Sequence, residues 1–137
     1  MFIAIEGPDG VGKTSVCKEL AARYGYTVTP QPAEPFRSLI MDKQFEKITD
    51  FFLFCASQSD AAIAPWEQTV ADRWTWSARV HQGLLTQTVP MEFIYECEKL
   101  IYQPEVYILL CGYHGEVGTN KYSGVGHDEL LELYLEC

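Results

Sequence analysis

With 137 residues, 47% apolar and 21% charged, the chain has the size of one domain and enough hydrophobic mass to fold. A disordered segment and separate catalytic and regulatory modules are therefore not expected, and residues 1–137 read as a single domain. Nineteen acidic against ten basic side chains give a formal charge of -9, which argues against broad binding to polymeric nucleic acid or to an anionic membrane; an anionic ligand must be held by a local trap.

In chain order, residues 2–5 read as a buried strand, 7–12 as a turn and 14–24 as a helix with Val16, Leu20 and Ala21 on one side. A short strand over 26–29 ends at Pro30. Helical spacing returns over 36–41 and again over 45–62, where Ile48, Phe51, Phe52, Cys55 and Ala56 recur until Pro65 closes the tract. Residues 69–71 form a brief strand ending in Asp72, and helices are expected over 77–85 and 90–102. The run 105–111, nearly all apolar, predicts a strand covered on both faces. A glycine-rich, lid-like loop over 112–126 precedes a last helix over 128–136. This alternation predicts a three-layer α/β fold with a parallel sheet of about four strands flanked by helices.

The five cysteines form no Cys-x-x-Cys pair, and the three histidines show no zinc-ligand spacing, so reduced thiols used as small apolar residues are expected. No apolar stretch reaches about eighteen residues, and residues 1–6 carry no leader pattern; a cytoplasmic protein is the expectation.

Residues 7–14, GPDGVGKT, satisfy the phosphate-loop pattern G-x-x-x-x-G-K-[ST] between a predicted strand and a predicted helix. Such a loop curls its amides inward at a helix N-terminus, where a phosphate is favoured. The cradle expected here comprises Gly7, Asp9, Gly10, Gly12, Lys13, Thr14 and Ser15, with Lys13 on the β and γ phosphates of a nucleotide and the Thr14 hydroxyl on magnesium. A GTPase would want Asn-Lys-x-Asp; residues 120–123 have a serine where that carboxylate should be.

Taken with three further stretches, the loop resembles the thymidylate kinase family of nucleoside monophosphate kinases, over about residues 1–110. FIAIEGPDGVGKTS is similar to that family's opening strand and loop, ADRWTWSARVHQG to its second signature, LFCASQSD to its base-binding helix, and QPEV to the Pro-acidic pair before its last central strand. The resemblance implies a P-loop NTPase fold and transfer of the ATP γ-phosphate to the 5'-phosphate of a pyrimidine deoxynucleotide, most simply dTMP, with magnesium. It implies that Asp9 reads the deoxyribose 3'-hydroxyl, that Asp72 joins Thr14 at the metal, and that Arg73, with Arg37 as a second candidate, holds the acceptor phosphate. Lys13, Asp72 and Arg73 form the implied catalytic set. Read as residues alone, Asp9 could serve a turn, Asp72 a helix cap and Arg73 a surface ion pair.

Phe54 is implied as the ring that stacks on the acceptor base, with core packing as the alternative. Gln58 lies four residues on, where the family usually carries a base-reading arginine, and helical spacing sets the two on one face. His81 stands where the family tends to have an aromatic ring, and it is expected with Gln82 on the same pocket. The apolar helix around 48–62 is either wholly internal or partly a dimer face, and the resemblance implies a homodimer through helices in this region. In the family a lid, often arginine-rich, follows the last central strand; here no arginine follows Arg79, Lys121 is the only lysine or arginine of 112–126, and the loop has Gly10 rather than an arginine. Arg73, Arg79, Lys121 or another subunit is left to supply the catalytic cation. The alternatives to transfer onto a nucleoside monophosphate are a deoxynucleoside kinase and a catalytically weak nucleotide-binding subunit.

Overall fold

A computed structural model of the chain describes residues 1–42, 45–61, 67–112 and 126–137. Its centre is a four-stranded parallel sheet of β1 (Phe2–Glu6), β2 (Thr27–Pro30), β3 (Thr69–Asp72) and β4 (Val106–Leu109), in the order β2-β3-β1-β4. The helices are α1 (Lys13–Tyr24), α2 (Phe36–Asp42), α3 (Lys47–Ala61), α4 (Thr75–Ala78), α5 (Met91–Glu98) and α6 (His127–Leu135), and α4 runs directly into a π-helical segment, Arg79–Leu85.

All five residues of β1 are buried, because a central parallel strand is covered from both sides. Its alternate side chains feed two layers. Phe2 and Ala4 pack with Ala71, Trp74 and Ile101, the Phe2 and Trp74 rings meeting edge to face at 5.0 Å. Ile3 and Ile5 pack on the other side with Cys17, Val70, Val16 and Leu20, which seats α1 against the sheet. Each fully buried side chain of this size contributes roughly 2 kcal/mol. The register pairs Ile5 with Asp72 and Asp72 with Pro30, so β1, β2 and β3 end together at one edge of the sheet, and the phosphate loop leaves β1 there.

Three expectations need correction. Glu105–Cys111 is not a strand covered on both faces: β4 spans only Val106–Leu109, and Val106 and Ile108 are 38% and 37% exposed. The strand pairs with β1 alone among the described residues, and at a sheet edge one face of an apolar run stays open. The helix expected over 77–85 begins earlier, at Thr75, and changes to π-helical pitch at Arg79. The helix expected over 90–102 ends at Glu98, where Gln103 Nε2 donates to the Glu98 and Ile101 carbonyls and turns the chain toward β4. The lid-like loop and Lys121 fall almost wholly at 113–125, outside the described residues.

None of the five cysteines is in a disulfide, and burial pushes the thiols of Cys17 and Cys55 up to about 12, as inert apolar side chains require. Among the described residues no helix is long and apolar enough to cross a membrane.

Candidate active site

The loop between β1 and α1 is shaped by glycines at positive φ, among them Gly7 at 136° and Gly12 at 93°. Gly12 caps α1, its carbonyl accepting from the Val16 amide at 3.0 Å. Lys13 folds back over the loop, donating from Nζ to the carbonyls of Gly7 at 2.9 Å and Pro8 at 2.5 Å. Burial, reinforced by the Arg73 charge, pushes the Lys13 ammonium down to about 8. Thr14 Oγ1 donates to Asp72 Oδ2, which joins the first turn of α1 to the end of β3. Gly10, Gly12, Lys13, Thr14, Ser15 and Asp72 line a cavity of about 340 Å³.

A second cavity, of about 460 Å³, opens beside it. Its far end is apolar, with Ile40, Met41, Phe45, Phe54 and Leu85, and carries polar groups from Asp50, His81, Gln82 and Thr86. Asp9, Gln31, Arg37 and Arg73 line both cavities and so form their junction.

Arg73 holds a left-handed backbone at φ 77°, uncommon for a residue with a side chain, with its amide donating to the Ile5 carbonyl at 3.0 Å. Its Nη2 pairs with Asp9 Oδ1, while Nη1 donates to Ser77 Oγ at 3.2 Å and to the Tyr134 hydroxyl at 3.1 Å. Beneath lies Glu6, wholly buried, accepting from the Trp74 amide at 2.8 Å and the Ser77 hydroxyl at 2.7 Å. Burial raises its carboxyl above the usual range, opposed by the Ser77 hydrogen bond and then by the Arg73 charge.

The structure thus brings together Asp9, Gly10, Gly12, Lys13, Thr14, Ser15, Asp72 and Arg73 at the loop, and Arg37, Phe54, His81 and Gln82 around the larger cavity. Two sequence expectations change. Gly7 lines neither wall and instead lies under the loop against the Leu110 backbone. Gln58 also lines neither wall: it is 1% exposed, and neither of its amide atoms has a hydrogen-bond partner among the described residues. One turn from Phe54 is one turn deeper into the core. Phe54 lines the cavity and also packs with Phe51, Ala78, Val89 and Ile94. Arg79 is committed elsewhere, bound through Nη2 to Glu98 at 2.6 Å with its guanidinium over the Tyr95 ring.

Sequence reasoning assigned no role to Glu6, Gln31, Asp50, Ser77 or Tyr134. Glu6 did leave a signal, an acidic residue closing an apolar buried strand. Tyr134 left none beyond its place on an amphipathic helix.

His81 and Gln82, consecutive in the π-helical segment, both line the larger cavity. Burial and then the Arg73 charge push His81 down to about 4. Below pH 6.5 the unfolded chain takes up a proton that the folded protein refuses, so stability falls on acidification until the pH reaches about 4. Between pH 7 and pH 5 this amounts to about 2 kcal/mol. Urea unfolding at both values should show that loss shrinking in His81→Gln.

A parallel sheet whose central strand enters a glycine loop and a helix, with a carboxylate ending the neighbouring strand, defines the P-loop NTPase fold. The fold resembles that of thymidylate kinase from Ehrlichia chaffeensis with a TM-score of 0.70 at 23% identity, over 80% of this chain and 70% of that one. The family model for thymidylate kinase matches residues 5–132, and the chain belongs to the thymidylate kinase family. It is 30% identical to the thymidylate kinase of Mycoplasma pneumoniae in an alignment 105 positions long that covers 62% of this chain and 50% of that protein. It is 29% identical to a probable thymidylate kinase of Methanococcus maripaludis in an alignment 119 positions long that covers 80% of this chain and 59% of that protein. The chain thus spans about half the length of the curated relatives it matches.

Proposed function

We propose that this protein is a cytoplasmic thymidylate kinase that transfers the γ-phosphate of ATP to the 5'-phosphate of dTMP. The observation that carries this reading is the junction of two cavities at Asp9, Gln31, Arg37 and Arg73, with a phosphate loop on one side and an apolar slot on the other. ATP phosphates fit the loop amides and Lys13. The acceptor phosphate fits Arg73 and Arg37, and Arg37 makes no ion pair among the described residues. The base fits the slot against Phe54, with Gln82 and Asp50 offering polar atoms, while Asp9 suits the sugar 3'-hydroxyl at the loop mouth.

No protein nucleophile is needed. An oxygen of the acceptor phosphate attacks the γ phosphorus, the bond from that phosphorus to the β–γ bridging oxygen breaks, and ADP leaves with the electron pair. Lys13 spreads the charge that develops on the bridging oxygen, and Arg73 holds the attacking phosphate in line. The adjacent Thr14 hydroxyl and Asp72 carboxylate are the hard oxygen donors that magnesium takes, directly or through water, and the ion supplies further charge neutralisation when bound. With Arg79 held by Glu98, Arg73 is the arginine best able to act as the catalytic cation.

Two guanidiniums at the acceptor cavity favour a phosphate-bearing acceptor over a free nucleoside. With ATP and magnesium, dTMP should yield dTDP while thymidine yields no dTMP. Product from thymidine alone would reassign the protein as a deoxynucleoside kinase, and no product from dTMP, dUMP or dCMP with ATP bound would leave it a nucleotide-binding subunit.

The proposal extends to a homodimer through α3 and α5, where Phe52 is 51% exposed and meets the Phe93 ring at 6.2 Å. Light scattering at micromolar concentration should give twice the chain mass, and Phe52→Glu should halve it.

A further inference from the structure

We infer that Tyr134, carried by α6 at 61 residues' remove, is a positioning residue that holds the Arg73 guanidinium with its phosphate-binding edge free. The inference rests on the reading of Arg73 as the holder of the acceptor phosphate. Its basis is the direction of the hydrogen bonds. The Ser77 hydroxyl gives its proton to Glu6 Oε2 at 2.7 Å, so Ser77 Oγ accepts from its other neighbours. The Tyr134 hydroxyl, 3.0 Å away, therefore donates to Ser77 Oγ and accepts from Arg73 Nη1. A buried carboxylate at the foot of the chain thereby orients two hydroxyl oxygens toward one guanidinium nitrogen.

A guanidinium has five N–H donors. Both hydrogens of Nη1 are consumed by Ser77 and Tyr134, and one hydrogen of Nη2 by Asp9. What remains is Nε–H and one Nη2 hydrogen, the donors left for oxygens of a phosphate. Tyr134 is itself buried and lines neither cavity, so it touches no substrate. Its ring is anchored independently of the hydroxyl, packed with Val80 and Leu130 and set edge-on to His81 at 6.4 Å.

Tyr134→Phe keeps that packing and deletes the hydroxyl. By calorimetry on the full chain, its affinity for dTMP should fall about tenfold, the usual loss for one hydrogen bond to a charged group, while its affinity for thymidine, which has no phosphate, stays unchanged. The KM for ATP should hold as well. Equal dTMP affinity in variant and wild type would overturn the inference, and so would a matching loss for dTMP and thymidine, which marks a merely structural role. A wild type that binds dTMP no better than thymidine would overturn the acceptor-phosphate reading and this inference with it. Ser77→Ala and the double variant give a second check. The tyrosine hydroxyl is aimed by Ser77, so the double variant's loss should fall short of the product of the two single losses; a full product overturns the inference.

Discussion

Lys13→Met should lower kcat/KM for ATP by about a thousandfold and leave the folded protein as stable as the wild type or more so. The loss of activity comes from position. Lys13 is the cation that covers the loop on which the transferring phosphates would rest, and removing a preorganised charge from such a site costs two to three orders of magnitude in rate. The retained stability comes from burial. The ammonium is held down to about 8, below its unfolded value, so its charge opposes folding at neutral pH, and a methionine of similar length lifts that cost. Loss of activity without loss of Tm separates a catalytic lysine from a structural one.

The same group sets a pH dependence in the wild type. Between about pH 8 and 10.5 the folded chain binds fewer protons at Lys13 than the unfolded chain, so its contribution to stability rises with pH across that window. Capture of ATP runs the other way, because the free protein loses the lysine charge above pH 8. The kcat/KM for ATP should therefore fall above pH 8, while kcat, measured with phosphates already bound beside the ammonium, should persist to higher pH. A kcat/KM flat to pH 9.5 would remove Lys13 from the site.

Gly7→Ala should destabilise the fold and weaken nucleotide binding together. At φ 136° the backbone lies where a side chain is strained, and a Cβ would sit 2.5 Å from the Leu110 carbonyl oxygen. That oxygen belongs to backbone tied to β1, since the Leu110 amide donates to the Glu6 carbonyl at 2.9 Å, so it cannot swing aside as a flexible side chain would. Strain and overpacking together cost about 3 kcal/mol, near 10 °C in Tm for a chain of this size. Nucleotide binding should fall with it, because relief requires moving the loop. Gly25→Ala is the control: φ is 72° there, but nothing lies within 4 Å of the new Cβ, and only the backbone term of about 1 kcal/mol remains.

The phosphate loop, the four parallel strands and the order of the helices are legible in the sequence because each is written locally. A glycine spacing, an apolar run or a helical period occupies neighbouring positions. Arg73 and Phe54 stand out only through the resemblance of ADRWTWSARVHQG and LFCASQSD to family signatures. Local pattern misleads at β4 and at Gln58 for one shared reason: exposure at a sheet edge and depth along a helix depend on what lies opposite.

The surroundings of Arg73 were decided by tertiary structure alone. Glu6 and Ser77 are 71 residues apart, and Arg73 and Tyr134 are 61 apart. Hydrogen bonds across such separations leave no period in the chain, because the partners meet only after the sheet register and the seat of α6 are set. The sequence by itself determined that a phosphate cradle forms between the first strand and the first helix; packing decided which way the arginine facing that cradle points, since only a folded core can fix the directions of buried donors and acceptors.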